Sequence, residues 1–195
     1  IPSSVKDIGK YALSGCKSLE AIKIPKEVSC INDRVFYGCE SLCTVELPNQ
    51  MECIGKYAFA KCGKLENIEL PMDLLTIKEC AFGWCEKLTS IELPCEVTSI
   101  ENGIFYGCNS LEDIKVDSRN DTYDSRNNCN AIIEKKENQL IAGCATTVIP
   151  DTVTSIKERA FSNNDRITNV VLPNNLKEIE AYAFSECDNL VTIEF

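Results

Sequence analysis

Apolar residues recur along the chain on a 23-residue period, which neither one helix nor one strand would produce. Counting the residue before each proline as position 1, the pattern reads Ile/Leu-Pro-x-x-Val/Leu-x-x-Ile-x-x-x-Ala-Phe-x-x-Cys-x-x-Leu-x-x-Ile-x. One full copy runs from Leu70-Pro71 through Leu74, Ile77, Ala81, Phe82, Cys85, Leu88 and Ile91 to Glu92. Every proline lies on this lattice: Pro2, Pro25, Pro48, Pro71 and Pro94, then Pro150 and Pro173 after a longer interval. Phe36, Phe59, Phe82, Phe105, Phe161 and Phe184 keep step, with Leu13 filling that place in the first copy. One copy alone cannot bury its apolar side, but stacked copies share a continuous core.

The pattern also assigns elements within each copy. In Leu88-x-x-Ile91-x-Leu93 the last three residues alternate inward and outward, the period of a short strand. Pro94 follows, lacks an N–H and ends the ladder. A second extended stretch is expected at positions 5 to 8, as in Val97-Thr98-Ser99-Ile100, and a short helical turn at positions 10 to 16, as in Lys56 to Cys62. Gly15, Gly38 and Gly107 stand where that turn would finish. The prediction is therefore a right-handed α/β-type solenoid of parallel short strands and short helical turns. Its single domain, 1–195, comprises five repeats over 1–115, an enlarged repeat over 116–148 and two repeats over 149–195. Within the enlarged repeat, Ala131-Ile132-Ile133-Glu134 and Gln139-Leu140-Ile141-Ala142 predict a β-hairpin around 135–138.

Charge and composition narrow the function. A formal charge of −10 argues against nucleic acid and anionic membranes, because such binding depends on Lys and Arg neutralising phosphates. No stretch approaches the length of a membrane-spanning helix. Histidine is absent, which removes the commonest general base and every imidazole metal site. None of the 13 cysteines falls in a Cys-x-x-Cys pair, so no zinc or redox motif is present and no cofactor is expected. Acidic residues are plentiful, but nothing singles out a catalytic pair, and no enzyme is predicted. Ile1-Pro2-Ser3 and Ile193-Glu194-Phe195 fall inside the pattern, so the chain reads as a segment of a longer protein; it contains no signal peptide. Neither end shows a polar capping repeat, and the end faces invite end-to-end self-association.

Ile1-Pro2-Ser3-Ser4-Val5, Ile8-Gly9 and Gly15-Cys16-Lys17-Ser18-Leu19 resemble the repeat of the BspA-like leucine-rich-repeat family. The likeness covers the whole chain, with Asn164 replacing the repeat cysteine and Leu13 the phenylalanine. It implies a leucine-rich-repeat solenoid in a surface-exposed or secreted protein that attaches to host matrix or cell-surface proteins. It carries over no catalytic residues.

Candidate sites follow from repeat position. Position 23 reads Lys23, Glu46, Glu69, Glu92, Lys115, Val171 and Glu194; at position 21 beside it stand Thr44, Asn67 and Ser90. Both positions point away from the core and are expected to line a concave binding face. Like charges stacked on adjacent strands repel, and a basic partner would relieve them; the plain alternative is a solvated acidic edge. Trp84, with Tyr11, Tyr57 and Tyr182 at position 11 and Tyr37 and Tyr106 at position 14, offers rings that could stack on a polysaccharide or simply pack between turns. A third reading is a structural spacer. Cys16, Cys39, Cys62, Cys85, Cys108 and Cys187 are expected to form a buried thiol ladder. The hairpin register places Cys129 opposite Cys144, either as a disulfide or as packed thiols, and the same choice stands for Cys30 and Cys53. Asn120-Asp121-Thr122 fits a glycosylation acceptor pattern.

Overall fold

A short strand forms at positions 21 to 23 of most repeats, where an Ile or Val sits between outward-facing neighbours and, in most copies, proline soon ends the run. In the computed structural model, which describes residues 1–195, these strands are Ala21–Lys23, Thr44–Glu46, Ser90–Leu93, Asp113–Val116, Asn169–Val171 and Thr192–Glu194. They pair parallel and in register with the repeat, for example Ile22 with Val45 and Ile91 with Ile114. A second parallel ladder runs through Cys30–Ile31, Cys53–Ile54, Thr76–Ile77 and Ser99–Ile100. Between the ladders the core is filled by the repeated Phe, Leu, Ile and Cys, with Phe36, Phe59 and Phe82 fully buried. Their rings stack at 5.3 and 5.7 Å between centroids.

The helical turns expected at positions 10 to 16 do not form. Each becomes a run of β-turns: in the third repeat Ala58, Ala60 and Cys62 donate to the carbonyls of Gly55, Tyr57 and Phe59. Tyr57 and Lys61 adopt positive φ (55° and 61°), which interrupts any right-handed helix. Position 15 carries glycine in three repeats because that left-handed conformation costs glycine least, as at Gly38 (φ 71°). The N–H groups of Tyr57, Phe59 and Lys61 instead reach the next repeat, donating to Glu79, Ala81 and Gly83 at 2.8–3.0 Å. Spacing explains the outcome. A helix is about 10 Å across, whereas stacked strands repeat at about 4.8 Å, so a flat stack leaves no room for one helix per turn. The one helical stretch is a 3₁₀ turn at Arg126–Asn128.

The enlarged repeat is spliced into the second ladder. Ala131–Glu134 pairs antiparallel with Gln139–Gly143 and with Tyr123–Asp124, and Gln139–Gly143 continues parallel onto Ser155–Ile156. On the turn edge the insertion is bypassed. Gly107 donates to Ser162 O, and Asn109 meets Asp165, so the fifth and sixth regular repeats touch directly. The hairpin register differs from expectation. Ile133 faces Leu140, but Ile132 faces Ala142, a bulge that adds one residue to the second strand. Beyond it Cys144 is shifted off Cys129, its sulfur lies 3.5 Å from Asn130 O, and both cysteines are free thiols. Asn120 is not an accessible glycosylation acceptor. It is buried, with its amide nitrogen donating to Pro94 O and Val97 O while its oxygen accepts from the N–H groups of Thr122 and Tyr123.

Candidate functional site

The face formed by positions 21 and 23 is built by strand alternation: Val45, Ile68 and Ile91 turn inward, so Glu46, Glu69 and Glu92 stand exposed on the opposite side. Thr44 and Asn67 are also exposed, and half-buried Ser90 donates to Asn67 Oδ1 at 3.3 Å. The structure thus brings these six residues onto one surface.

That surface is not a continuous sheet. Thr44–Glu46 is paired with Ala21–Lys23, and Ser90–Leu93 with Asp113–Val116, but residues 67–69 pair with neither neighbour. The N–H groups of Asn67, Ile68, Glu69 and Leu70 make no backbone hydrogen bond, and the carbonyls of Asn67, Ile68 and Glu69 accept none. At this level a single backbone bond, from Thr89 N–H to Glu66 O, ties the fourth repeat to the third. A cleft of about 630 Å³ opens between residues 43–49 and 67–72, and one of about 690 Å³ between 67–72 and 90–94.

Pairing follows charge. The ladder is closed where Lys23 meets Glu46, an ion pair of 2.6 Å, and where Glu92 faces Lys115. It is open at both glutamate–glutamate steps, Glu46 to Glu69 and Glu69 to Glu92. A hydrogen bond in contact with water contributes a net of about 0.5–1.5 kcal/mol, so repulsion between like charges on facing strands is of a size to offset it. Lys115 is turned toward Asp113 (2.5 Å), whose hydrogen bond raises the lysine pKa, and it leaves Glu92 without a direct ion pair.

Trp84 lies elsewhere, on the turn edge. It is half-buried at positive φ, its ring meets Tyr106 edge-on at 4.6 Å, and Lys61 Nζ sits 5.3 Å from it. The other rings on that edge are also engaged. Arg34 lies between Tyr11 and Tyr57, 5.5 and 4.7 Å from their centroids, and Arg159 covers Tyr182. Tyr106 donates to Glu186; burial first, then this bond, push its pKa up to about 12.

Two features escaped sequence reasoning because the bypassed insertion creates them. Arg159 joins Glu79 at 3.3 Å, and Glu79 in turn meets Lys56 at 3.3 Å, an ion-pair chain linking residues a hundred positions apart. An apolar cavity of about 330 Å³ opens beside Val148, Ile149, Phe161, Ile167 and Val171, where Val148 and Val171 are exposed. No three His, Cys, Asp or Glu side chains converge to hold a metal ion, and no helix is long and apolar enough to cross a membrane.

The chain matches the sequence profile of the BspA type leucine rich repeat region, in six copies, over residues 6–133 and 137–195. No curated protein matches it. Among solved structures it is similar to a leucine-rich repeat protein from Bacteroides ovatus, at 29% identity and TM-score 0.63, covering 96% of this chain and 40% of that one. It is also similar in fold to the pneumococcal vaccine antigen PcpA, at 22% identity and TM-score 0.72, covering 90% of this chain and 50% of that one. A leucine rich cell surface protein from Faecalibacterium prausnitzii shares 20% identity at TM-score 0.54, over 99% of this chain and 77% of that one. The chain therefore spans half or less of the first two. With its fixed 23-residue lattice and stacked parallel ladders, the chain belongs to the BspA-type leucine-rich-repeat family.

Proposed function

We propose that this chain is a non-enzymatic recognition module, displayed at a cell surface or secreted, that binds a basic segment of a protein partner through the face carrying Glu46, Glu69 and Glu92. The observation that carries the reading is the opened ladder: three exposed glutamates in register, with unpaired peptide groups and two clefts between them. Leucine-rich repeats are a protein-interaction fold, and two neighbours are described as a vaccine antigen and a cell surface protein. Host matrix and cell-surface proteins are the partner class to which this reading points. Residues 1–195 would act as one solenoid unit, with Thr44, Asn67 and Ser90 contributing polar contacts between the glutamates.

The test is binding of the purified chain to a panel of matrix proteins and polysaccharides at low and high ionic strength. Three exposed ion pairs at about 0.5 kcal/mol each amount to about tenfold in Kd. A protein ligand whose affinity falls by that order with salt, and again in Glu46→Gln/Glu69→Gln/Glu92→Gln, supports the reading. A salt-insensitive polysaccharide ligand lost in Trp84→Ala would replace it with carbohydrate binding, and no ligand at all would leave a spacer.

A further inference from the structure

Two cysteines stand side by side on the ladder at the other side of the core. Cys30 and Cys53 are direct partners across the parallel strands Cys30–Ile31 and Cys53–Ile54. The next residue on each strand, Ile31 or Ile54, is buried, so by alternation both thiols point outward. Both are half-buried and free.

No other cysteines in the chain share this arrangement. Cys39, Cys62, Cys85, Cys108 and Cys187 are buried, each donating to a carbonyl of the preceding stacked repeat at 3.0–3.3 Å. Cys43 is bonded to Glu20 O, Cys95 lies beside Glu96, and the bulge separates Cys129 from Cys144. The charged groups acting on the Cys30–Cys53 pair are Lys78, which favours thiolate, and Asp33 and Glu101, which oppose it. The neighbouring Cys30 thiol pushes Cys53 down, to about 7, and the same interaction holds Cys30 well up.

We propose that Cys30 and Cys53 form a chelating dithiol that binds one soft, thiophilic d¹⁰ cation of the Cu(I) type between their sulfurs. Thiolate is the ligand such ions select. With metal–sulfur bonds of the length found for zinc thiolates, about 2.3 Å, two sulfurs bridged linearly lie about 4.6 Å apart. Adjacent strands supply that separation, at about 4.8 Å. Zinc and other tetrahedral ions need four ligands, and here no third His, Cys, Asp or Glu converges, so the site discriminates by coordination number. Starting from the fully protonated pair, binding exchanges two thiol protons for one Cu⁺, leaving a bis-thiolate complex of charge −1 near the Lys78 ammonium, with no change of oxidation state.

The reduced chain would be titrated anaerobically with Cu(I), supplied as its acetonitrile complex, against a chromogenic Cu(I) chelator. The wild type is expected to hold one equivalent and to release protons as it does so. Cys30→Ser and Cys53→Thr should each lose that equivalent. Their folds should survive, checked by circular dichroism, because Ser99 and Thr76 fill the same position in neighbouring repeats. Cys16→Ser/Cys43→Ser/Cys95→Ser should keep it. Retention of the equivalent by folded Cys30→Ser and Cys53→Thr, or surrender of all copper by the wild type, would overturn the assignment.

Discussion

The Cys85 thiol donates its hydrogen to the carbonyl oxygen of Phe59, 26 residues earlier, at 3.2 Å. Cys62 makes the same contact to Phe36, and Cys108 to Phe82. The carbonyl at position 13 already accepts the N–H of position 16 in its own repeat, as Phe59 O does from Cys62, and a small apolar side chain with one weak donor fills its second lone pair. Replacing Cys85 by Val keeps the apolar volume and removes the donor. It should cost about 0.5–1.5 kcal/mol, the net contribution of one hydrogen bond to a carbonyl that keeps its backbone donor, measured by chemical denaturation. Unchanged stability would show that the sulfur acts by packing alone.

Charge across the strand face makes a second prediction. Glu69→Lys replaces two like-charge steps with two opposite ones, and should close the ladder on both sides of residues 67–69. A gain of about 0.4–2 kcal/mol is expected for two cross-strand pairs. In amide hydrogen exchange, Asn67, Ile68, position 69 and Leu70 should pass from fast to protected. Persistent fast exchange would mean that backbone geometry, and not charge, holds the strands apart.

Thiol reactivity separates the cysteine classes. Because Cys53 is pushed down to about 7, its thiolate fraction rises as pH passes through that value, and alkylation should accelerate there. Cys95 is shifted up, by desolvation and its bond to Glu96, so its rate should climb only above the ordinary thiol range. In Cys30→Ser the Cys53 inflection should move upward. Burial pushes Cys108 up to about 12 and shields it, so it should react only after unfolding. Mass-spectrometric labelling across a pH series reads all three.

Close packing at the hairpin gives a steric prediction. A Cβ at Gly143 would lie 2.6 Å from Phe161 Cζ and 2.9 Å from Thr147 Oγ1. Gly143→Ala should therefore destabilise the chain by about 1–3 kcal/mol through overpacking. Thermal unfolding measures it, and Phe161→Leu in the same background should recover part of the loss.

Much of this architecture was readable from single residues. Proline, phenylalanine and leucine at fixed 23-residue intervals can be buried only by stacking, so the repeat number, the place of the enlarged repeat and its hairpin all follow. Which residues face outward at positions 21 and 23 also follows, because strand alternation is local. The arrangement of Glu46, Glu69 and Glu92 on one surface was therefore legible, whereas Trp84, placed by sequence among the candidate binding residues, stands apart on the turn edge.

The sequence by itself determined the lattice, the inward and outward sides of each strand, and the charge at each step along the face. Only the tertiary structure decided what depends on the distance between neighbours. Lys56 to Cys62 carries a helix-compatible pattern, yet forms linked turns because stacked strands leave about half the room a helix needs. Cys144 misses Cys129 because one bulged residue shifts the hairpin, and nothing local to either cysteine records that shift. Arg159 reaches Glu79 because the insertion is looped out of one edge and woven into the other. Residues 67–69 keep a strand's sequence but no ladder, because a strand is completed by its partners, and here the facing position on both sides carries the same charge as Glu69.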